Sequence, residues 1–306
     1  MPRESSMDGA VTAKSRRGPQ GVIRRWDARI GRWARSRGRV AIALHELVCF
    51  GVKQASACLF GACMISLLWL TWAFYPRDAW LPRYDFLTLA ALTIQCVLIA
   101  TRLESRDEAK VILMFHLVGT VMEVFKTSVG SWVYPEASFL RLGGVPLFSG
   151  FMYASIGSYI ARAWRLFDFR FTHHPSFAAT VWLAMAIYVN FFTHHFFPDA
   201  RWLLFVAVAV LFGRTWVYFR IRRVHRRMPL LLGFVLVATF IWFAENIGTF
   251  TAAWRYPAQR HAWSMVPLSK LGAWLLLMII SYVMVSAIAM HRTTPSPARR
   301  GGLGRG

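Results

Sequence analysis

Residues 123–147 read EVFKTSVGSWVYPEASFLRLGGVPL, and residues 245–268 read ENIGTFTAAWRYPAQRHAWSMVPL. Counted from the glutamate, both stretches place Thr four residues on, Trp nine on, Tyr eleven on and Pro twelve on. The matched sets are Glu123, Thr127, Trp132, Tyr134, Pro135 and Glu245, Thr249, Trp254, Tyr256, Pro257. Val-Pro-Leu follows nine or ten residues later in each, at Val145–Leu147 and Val266–Leu268. Five matches in the first thirteen positions compare with about one expected from composition. The pattern reads as an internal duplication with an offset of 122 residues.

Outward from the repeat, the chain is 56% hydrophobic and 16% charged, yet carries a net charge of +22 over 306 residues. Soluble chains are about a quarter charged. The apolar residues fall into segments of about eighteen to twenty-five, long enough to cross about 30 Å of hydrocarbon as helices. Eight spans are predicted, near 55–75, 84–101, 109–126, 145–165, 176–197, 201–218, 228–250 and 266–290, with the first able to start as early as Ala41. The expected fold is an all-α polytopic membrane protein. The offset maps spans one to four onto five to eight, so residues 40–165 and 166–290 form two four-helix halves. Four is an even number, so the halves are expected to run parallel about a pseudo-twofold axis along the membrane normal.

Residues 1–39 hold eleven Lys or Arg against three acids. Val22, Trp26, Ile30, Trp33 and Val40 recur at helical steps between arginines, which predicts a basic amphipathic helix over about 22–40, suited to an anionic leaflet. An arginine-rich tail that only sets topology is the alternative. Beyond charge nothing supports nucleic acid as a partner. The first apolar stretch begins too late for a cleavable signal peptide. Residues 291–306 are expected to be a disordered basic tail. With both termini cytoplasmic, the inner loops gather Arg102, Arg106 and Lys110, then Arg162, Arg165 and Arg170, then Arg220, Arg222, Arg223, Arg226 and Arg227, as the positive-inside rule requires.

An ionisable group inside a span costs about 2.5–3.5 kcal/mol and so needs a partner or a purpose. Glu123 and Glu245 would share one depth near the outer ends of spans three and seven. His116 stands two turns from Glu123 on the same face. These three are the candidate catalytic groups: two carboxylates in a low-dielectric cavity repel, which favours one keeping its proton as a general acid. Trp132, Tyr134, Trp254, Tyr256, Asn246, Lys126, Lys270 and Tyr153 are candidate substrate-binding residues in the same outer-half polar cavity. The structural alternatives are an ion pair of Glu123 with Lys126, interhelical hydrogen bonding by Glu245, interfacial aromatics, and Pro146 and Pro267 in the first turns of helices.

The histidine pairs at Phe171–His174 and Phe192–His195 sit at opposite ends of span five, about 31 Å apart on a continuous helix. They cannot share a metal, and no metal or cofactor motif is present. Cys49, Cys58, Cys63 and Cys96 read as buried, reduced thiols.

The runs TRLES and DEAK between Thr101 and Lys110, FHLVGTVMEVFKTSVGSWVYPE, GGVPLFSGFMYASIGSY and ENIGTFTAAWRYP resemble a bacterial integral-membrane family known as domain of unknown function 817, over about residues 40–290. The resemblance implies a multi-pass inner-membrane protein and supplies no activity. A fainter similarity is to membrane carotenoid cyclases and hydratases, which also place an acid late in a helix before an aromatic hairpin and a Pro-initiated helix. Paired acids follow that Pro in the lycopene-cyclase repeats; here Leu147-Phe148 and Leu268-Ser269 stand instead.

Three functions fit these residues. One is an intramembrane acid/base enzyme acting on a hydrophobic, isoprenoid-like substrate, with the aromatic residues stabilising cationic charge. The second is a small-solute or proton-coupled transporter with its site between the halves. The third is a membrane scaffold without turnover.

Overall fold

The computed structural model describes residues Ile30, 32–33, 36–222 and 225–290. The chain divides into two compact units, one comprising residues up to Gln54 with Ile221–Val224, the other Ala55–Arg220 with everything from His225. The basic segment expected to be helical over 22–40 lies mostly outside the described residues, and the 291–306 tail lies wholly outside them.

The described residues are mostly helical, with nine α-helices: α1 (Arg39–Ala57), α2 (Leu59–Phe74), α3 (Arg83–Ala100), α4 (Arg106–Ser128), α5 (Phe148–Phe167), α6 (Phe177–Thr193), α7 (Arg201–Phe212), α8 (Leu230–Phe250) and α9 (Ser269–Met290). Five of them, α1, α3, α4, α8 and α9, are long and apolar enough to cross a membrane. On α1 the exposed Val40, Leu44, Leu47, Val48 and Val52 follow a helical stripe, an apolar face of the kind lipid accepts.

In the second unit, α2 packs on α3 and α5, and α4 packs on α5. Likewise α6 packs on α7 and α9, and α8 packs on α9. Helices α5 and α9 also touch each other. Among these pairs α4 and α5 are the most extensively matched, because glycines let them approach: a Cβ added at Gly119 would lie 2.6 Å from the Tyr153 side chain, and one at Gly157 2.6 Å from Phe115. Helix α5 is enclosed by α2, α3, α4 and α9, which explains how a helix carrying Arg162 and Arg165 is tolerated: it does not depend on lipid to solvate its surface.

Several expectations need correction. The fold is not purely helical. Two short strands, β1 (Arg141–Leu142) and β2 (Val145–Pro146), pair antiparallel, and β3 (Arg170–Thr172), β4 (Trp216–Arg220) and β5 (His225–Pro229) form a three-stranded sheet in that order. The expected sixth span, 201–218, stops as a helix at Phe212. Its last residues enter β4, whose Val217 pairs with Met228 and Tyr218 with Arg227. Pro146 sits in β2 and Pro267 two residues ahead of α9, so neither occupies a first helical turn. Phe171–His174 precede α6 rather than forming its end, with His174 Nε2 2.8 Å from the Tyr282 hydroxyl. Cys49, Cys58 and Cys63 are half-buried and Cys96 exposed, so they are less buried than expected, and none of the four is in a disulfide.

Candidate functional site

The two copies of the repeated stretch stop their helices in one register. Helix α4 ends at Ser128 and α8 at Phe250, and a left-handed residue follows in each, Gly130 at φ 72° and Ala252 at φ 54°. The N–H groups of Gly130 and Ser131 return to the carbonyls of Thr127 and Lys126. Those of Ala252 and Ala253 return to Thr249 and Gly248. This pair of bonds satisfies the orphan carbonyls of a helix end and reverses the chain. The reversed segments then meet. Val133 N–H donates to the Arg255 carbonyl at 3.0 Å, and Arg255 N–H donates to the Val133 carbonyl at 2.9 Å.

That reversal swings the Trp and Tyr of each copy back onto its own glutamate. Trp132 Nε1 donates to Glu123 Oε2 at 2.7 Å, and the Tyr134 hydroxyl donates to the same oxygen at 2.5 Å. The Tyr153 hydroxyl, from α5, donates to Oε1 at 2.8 Å. A buried carboxylate is tolerated when several donors replace its water, and Glu123 has three. In the second copy the Tyr256 hydroxyl donates to Glu245 Oε1 in a short hydrogen bond. Glu245 Oε2 is buried and accepts no aligned hydrogen bond among the described residues. Trp254 lies alongside without the aligned bond that Trp132 makes. Aligned on Val-Pro-Leu, the counterpart of Tyr153 is Trp274, whose Nε1 is also buried without a partner. The two sites are built alike and saturated unequally.

The remaining candidates divide. Lys270 holds its ammonium over the rings of Tyr256, at 4.6 Å, and Trp132, at 6.0 Å, and those rings meet edge to face. It therefore joins one aromatic from each copy. Lys126 does not pair with Glu123; its Nζ lies 2.7 Å from His195 Nε2. Asn246 has a structural task, donating to the Trp242 carbonyl and accepting from Val266 N–H, which fixes the approach to α9. His116 makes no hydrogen bond to either carboxylate among the described residues; its ring lies 4.5 Å from that of Phe151, with Gly150 against its Nδ1.

A known family accounts for most of the chain: the profile described as "Protein of unknown function (DUF817)" matches residues 46–282. The chain belongs to this family. It is also similar to the Bacillus subtilis (strain 168) protein described as "Uncharacterized protein YoaT", at 47% identity over 246 residues, covering 80% of this chain and 92% of the relative. No solved structure matches the chain.

In this family member, two groups that support the site escaped sequence reasoning. At the start of α3, the buried Arg83 donates to Glu136 at 2.5 Å, to the Thr251 carbonyl at 2.9 Å and to Thr71 at 3.1 Å. Tyr84 donates to the Ala253 carbonyl, and Asp85 accepts from the N–H groups of Phe139 and Leu140. One helix start thus grips the segments after both helix stops. The signal was present in Arg-Tyr-Asp directly after Pro82, polar residues at a helix start that a span count passes over. At the far end of α5, Glu104 accepts from Ser158 and from Gln95, and lies 3.8 Å from the Arg162 guanidinium, with both charged side chains buried. Arg162 is therefore a buried partner of Glu104 as well as a residue counted toward loop charge.

Proposed function

We propose that this protein is an intramembrane acid/base enzyme acting on a hydrophobic, isoprenoid-like substrate, with Glu245 as the proton donor or acceptor. The observation that carries the reading is the inequality of the two carboxylates. Glu123 has all its nearby donors engaged and serves to hold the aromatic hairpin. Glu245 keeps one buried oxygen without an aligned hydrogen bond among the described residues, with Trp254 alongside and Lys270 at electrostatic range. A buried carboxyl with one such oxygen is placed to exchange a proton with a bound molecule. The Trp132–Tyr256 pair already accommodates the Lys270 cation, which supports a role in stabilising positive charge on a substrate. His116 makes no hydrogen bond to Glu245 among the described residues and is assigned no part.

The proposed setting is the bacterial inner membrane, with eight spans in two parallel four-helix halves and both termini cytoplasmic. The helix pairings repeated between α2–α5 and α6–α9, and the matched helix stops, support this arrangement. A proton-coupled transporter is the second reading. It is favoured by one observation, that Lys270 contacts rings from both copies, so the site lies between the halves as in repeat-built transporters.

The test is an untargeted lipid and pigment comparison of cells expressing wild type or Glu245→Gln at equal membrane levels. A species that changes only with wild type is expected. No change with both proteins folded would remove the enzyme reading and bring uptake assays forward, and no solute dependence there would leave a scaffold.

A further inference from the structure

The end of the molecule that holds the two carboxylates also gathers positive charge. Lys126, at 4% exposure, is buried at the end of α4. Its Nζ lies 2.7 Å from His195 Nε2, 3.4 Å from His194 Nε2 and 4.2 Å from the centre of the Phe191 ring. An ammonium only donates, so the imidazoles facing it offer lone pairs and carry their protons on Nδ1. His194 fits that tautomer, since its Nδ1 lies 2.9 Å from the Asn190 carbonyl oxygen. Among the described residues no carboxylate pairs with Lys126.

Lys270, in the first turn of α9, holds its ammonium over two aromatic faces and makes no hydrogen bond or ion pair among the described residues, with Glu245 at longer electrostatic range. Arg201 opens α7. Phe205, one turn on, packs so closely on α9 that a Cβ added at Gly272 would meet its ring at 2.7 Å. Residues four apart share a helix face, which puts Arg201 on the side of α7 turned to α9. Its Nη2 lies 3.1 Å from Asp199, a carboxylate also bonded by Asn190 at 3.2 Å. Asn190 ties the Lys126 and Arg201 ends together, its carbonyl facing His194 Nδ1 and its side chain donating to the Asp199 carboxylate that Arg201 pairs with, while Phe205 of α7 packs on Gly272, two residues from Lys270. Against these three cations stand Asp199 and Glu245. Like charges gathered in a low-dielectric setting repel unless a counter-charge lies among them.

We propose that Lys126, Lys270 and Arg201, with His194 and His195, bind an oxyanion, a phosphate or carboxylate group, next to Glu245. This deepens the enzyme reading by giving the substrate an anionic head and an apolar body. It rests on that reading only for what lies beside the anion, because binding is measured without turnover. The anion is either the headgroup of a membrane lipid or a free solute, and the two sources separate experimentally.

The experiment uses the full chain in phosphatidylcholine nanodiscs and follows tryptophan fluorescence, since Trp132 lies against Lys270. One arm titrates sodium phosphate and sodium acetate against sodium chloride at matched ionic strength. The other replaces part of the phosphatidylcholine with phosphatidic acid and reads lipid retained on the purified protein by native mass spectrometry. A saturable response in the first arm identifies a free anion, and selective retention in the second identifies a headgroup. In either case the Lys126→Gln, Lys270→Gln double variant is expected to bind about tenfold or more weakly. If the double variant does not fold, Arg201→Gln, at a partly exposed cation, provides the comparison. No saturable or selective binding in either arm, or equal binding by folded variants, overturns the proposal. Binding without any lipid or pigment change in cells would instead remove the enzyme reading and leave the anion site standing.

Discussion

Val133 and Arg255, 122 positions apart, exchange two backbone hydrogen bonds with each other. Residues related by a twofold axis that meet on that axis must contact their own equivalents, and an antiparallel bridge is the backbone form of such a contact. The proposed axis would pass through this bridge. It also explains why Lys270 can reach rings from both copies, since the two aromatic hairpins are joined back to back.

The donor set of Glu123 sets the first expectation. Tyr153→Phe removes one of three hydrogen bonds to a buried carboxylate and should destabilise the protein by about 1 kcal/mol, in the range of interhelical hydrogen bonds within membranes. Phe at position 274 in place of Trp removes a donor that has no partner and should cost less through hydrogen bonding. Reversible unfolding in mixed detergent micelles, comparing Tyr153→Phe with Trp274→Phe, measures the difference. Equal losses would mean that the Glu123 bond carries no weight.

Close helix approach gives a second. Gly119→Ala places a methyl against the Tyr153 side chain and should cost about 1–3 kcal/mol by overpacking. Because Tyr153 must move, its bond to Glu123 is disturbed as well. A double variant with Tyr153→Phe should then lose less than the sum of the single losses, which the same unfolding assay reads.

Burial of both Glu104 and Arg162 predicts strong asymmetry between single and double changes. Glu104→Gln leaves a buried guanidinium without its counter-charge and should cost about 3–5 kcal/mol, with a corresponding fall in folded protein recovered from membranes. Arg162→Met combined with Glu104→Gln should restore much of that loss.

Asp199, in the turn between α6 and α7, supplies a pH prediction. Burial alone would raise its pKa, but hydrogen bonds from Asn190 and from Arg201 N–H, with the Arg201 charge, outweigh it and hold the carboxyl below its ordinary value of 3.8. A depressed folded-state value means the contribution is present above the unfolded value and is lost as pH falls through the folded one. Melting temperature should therefore drop on acidification below about pH 4, and less in Asp199→Asn. The side chain is partly exposed, so screening keeps the difference small.

Topology is checked by labelling. In a background without Cys49, Cys58, Cys63 and Cys96, a cysteine at the exposed Phe139 and one appended to the C-terminus should react with an impermeant maleimide from opposite sides. Labelling from one side would exclude the proposed arrangement.

Much of this was legible in the chain. The fixed spacing of Glu, Trp and Tyr marked the stretch that matters, but not the reversal at Gly130 and Ala252 that returns the aromatic residues to the glutamate, because spacing alone carries no backbone φ. Helices α8 and α9 were clear because their apolar runs are long, whereas α4, whose apolar run carries His116, Glu123 and Lys126, was the faintest of the expected spans. The sheet was not legible, because Trp216–Phe219 continue the hydropathy of α7 and composition does not register the change of period at Thr215. The inequality of the two glutamates was equally hidden. It depends on which residue of α5 or α9 reaches across, and the repeat pattern ends just before those positions, at Leu147 and Leu268.

The Tyr153 and Trp274 positions also speak to history. Two tandem copies of one motif begin with the same obligations, and each must keep its hairpin folded. Once one copy's glutamate is saturated by three donors, it can anchor the fold for both. Under the proposed duplication its twin would then be released to diverge, and the exchange of Tyr153 for Trp274 would mark one place where it did.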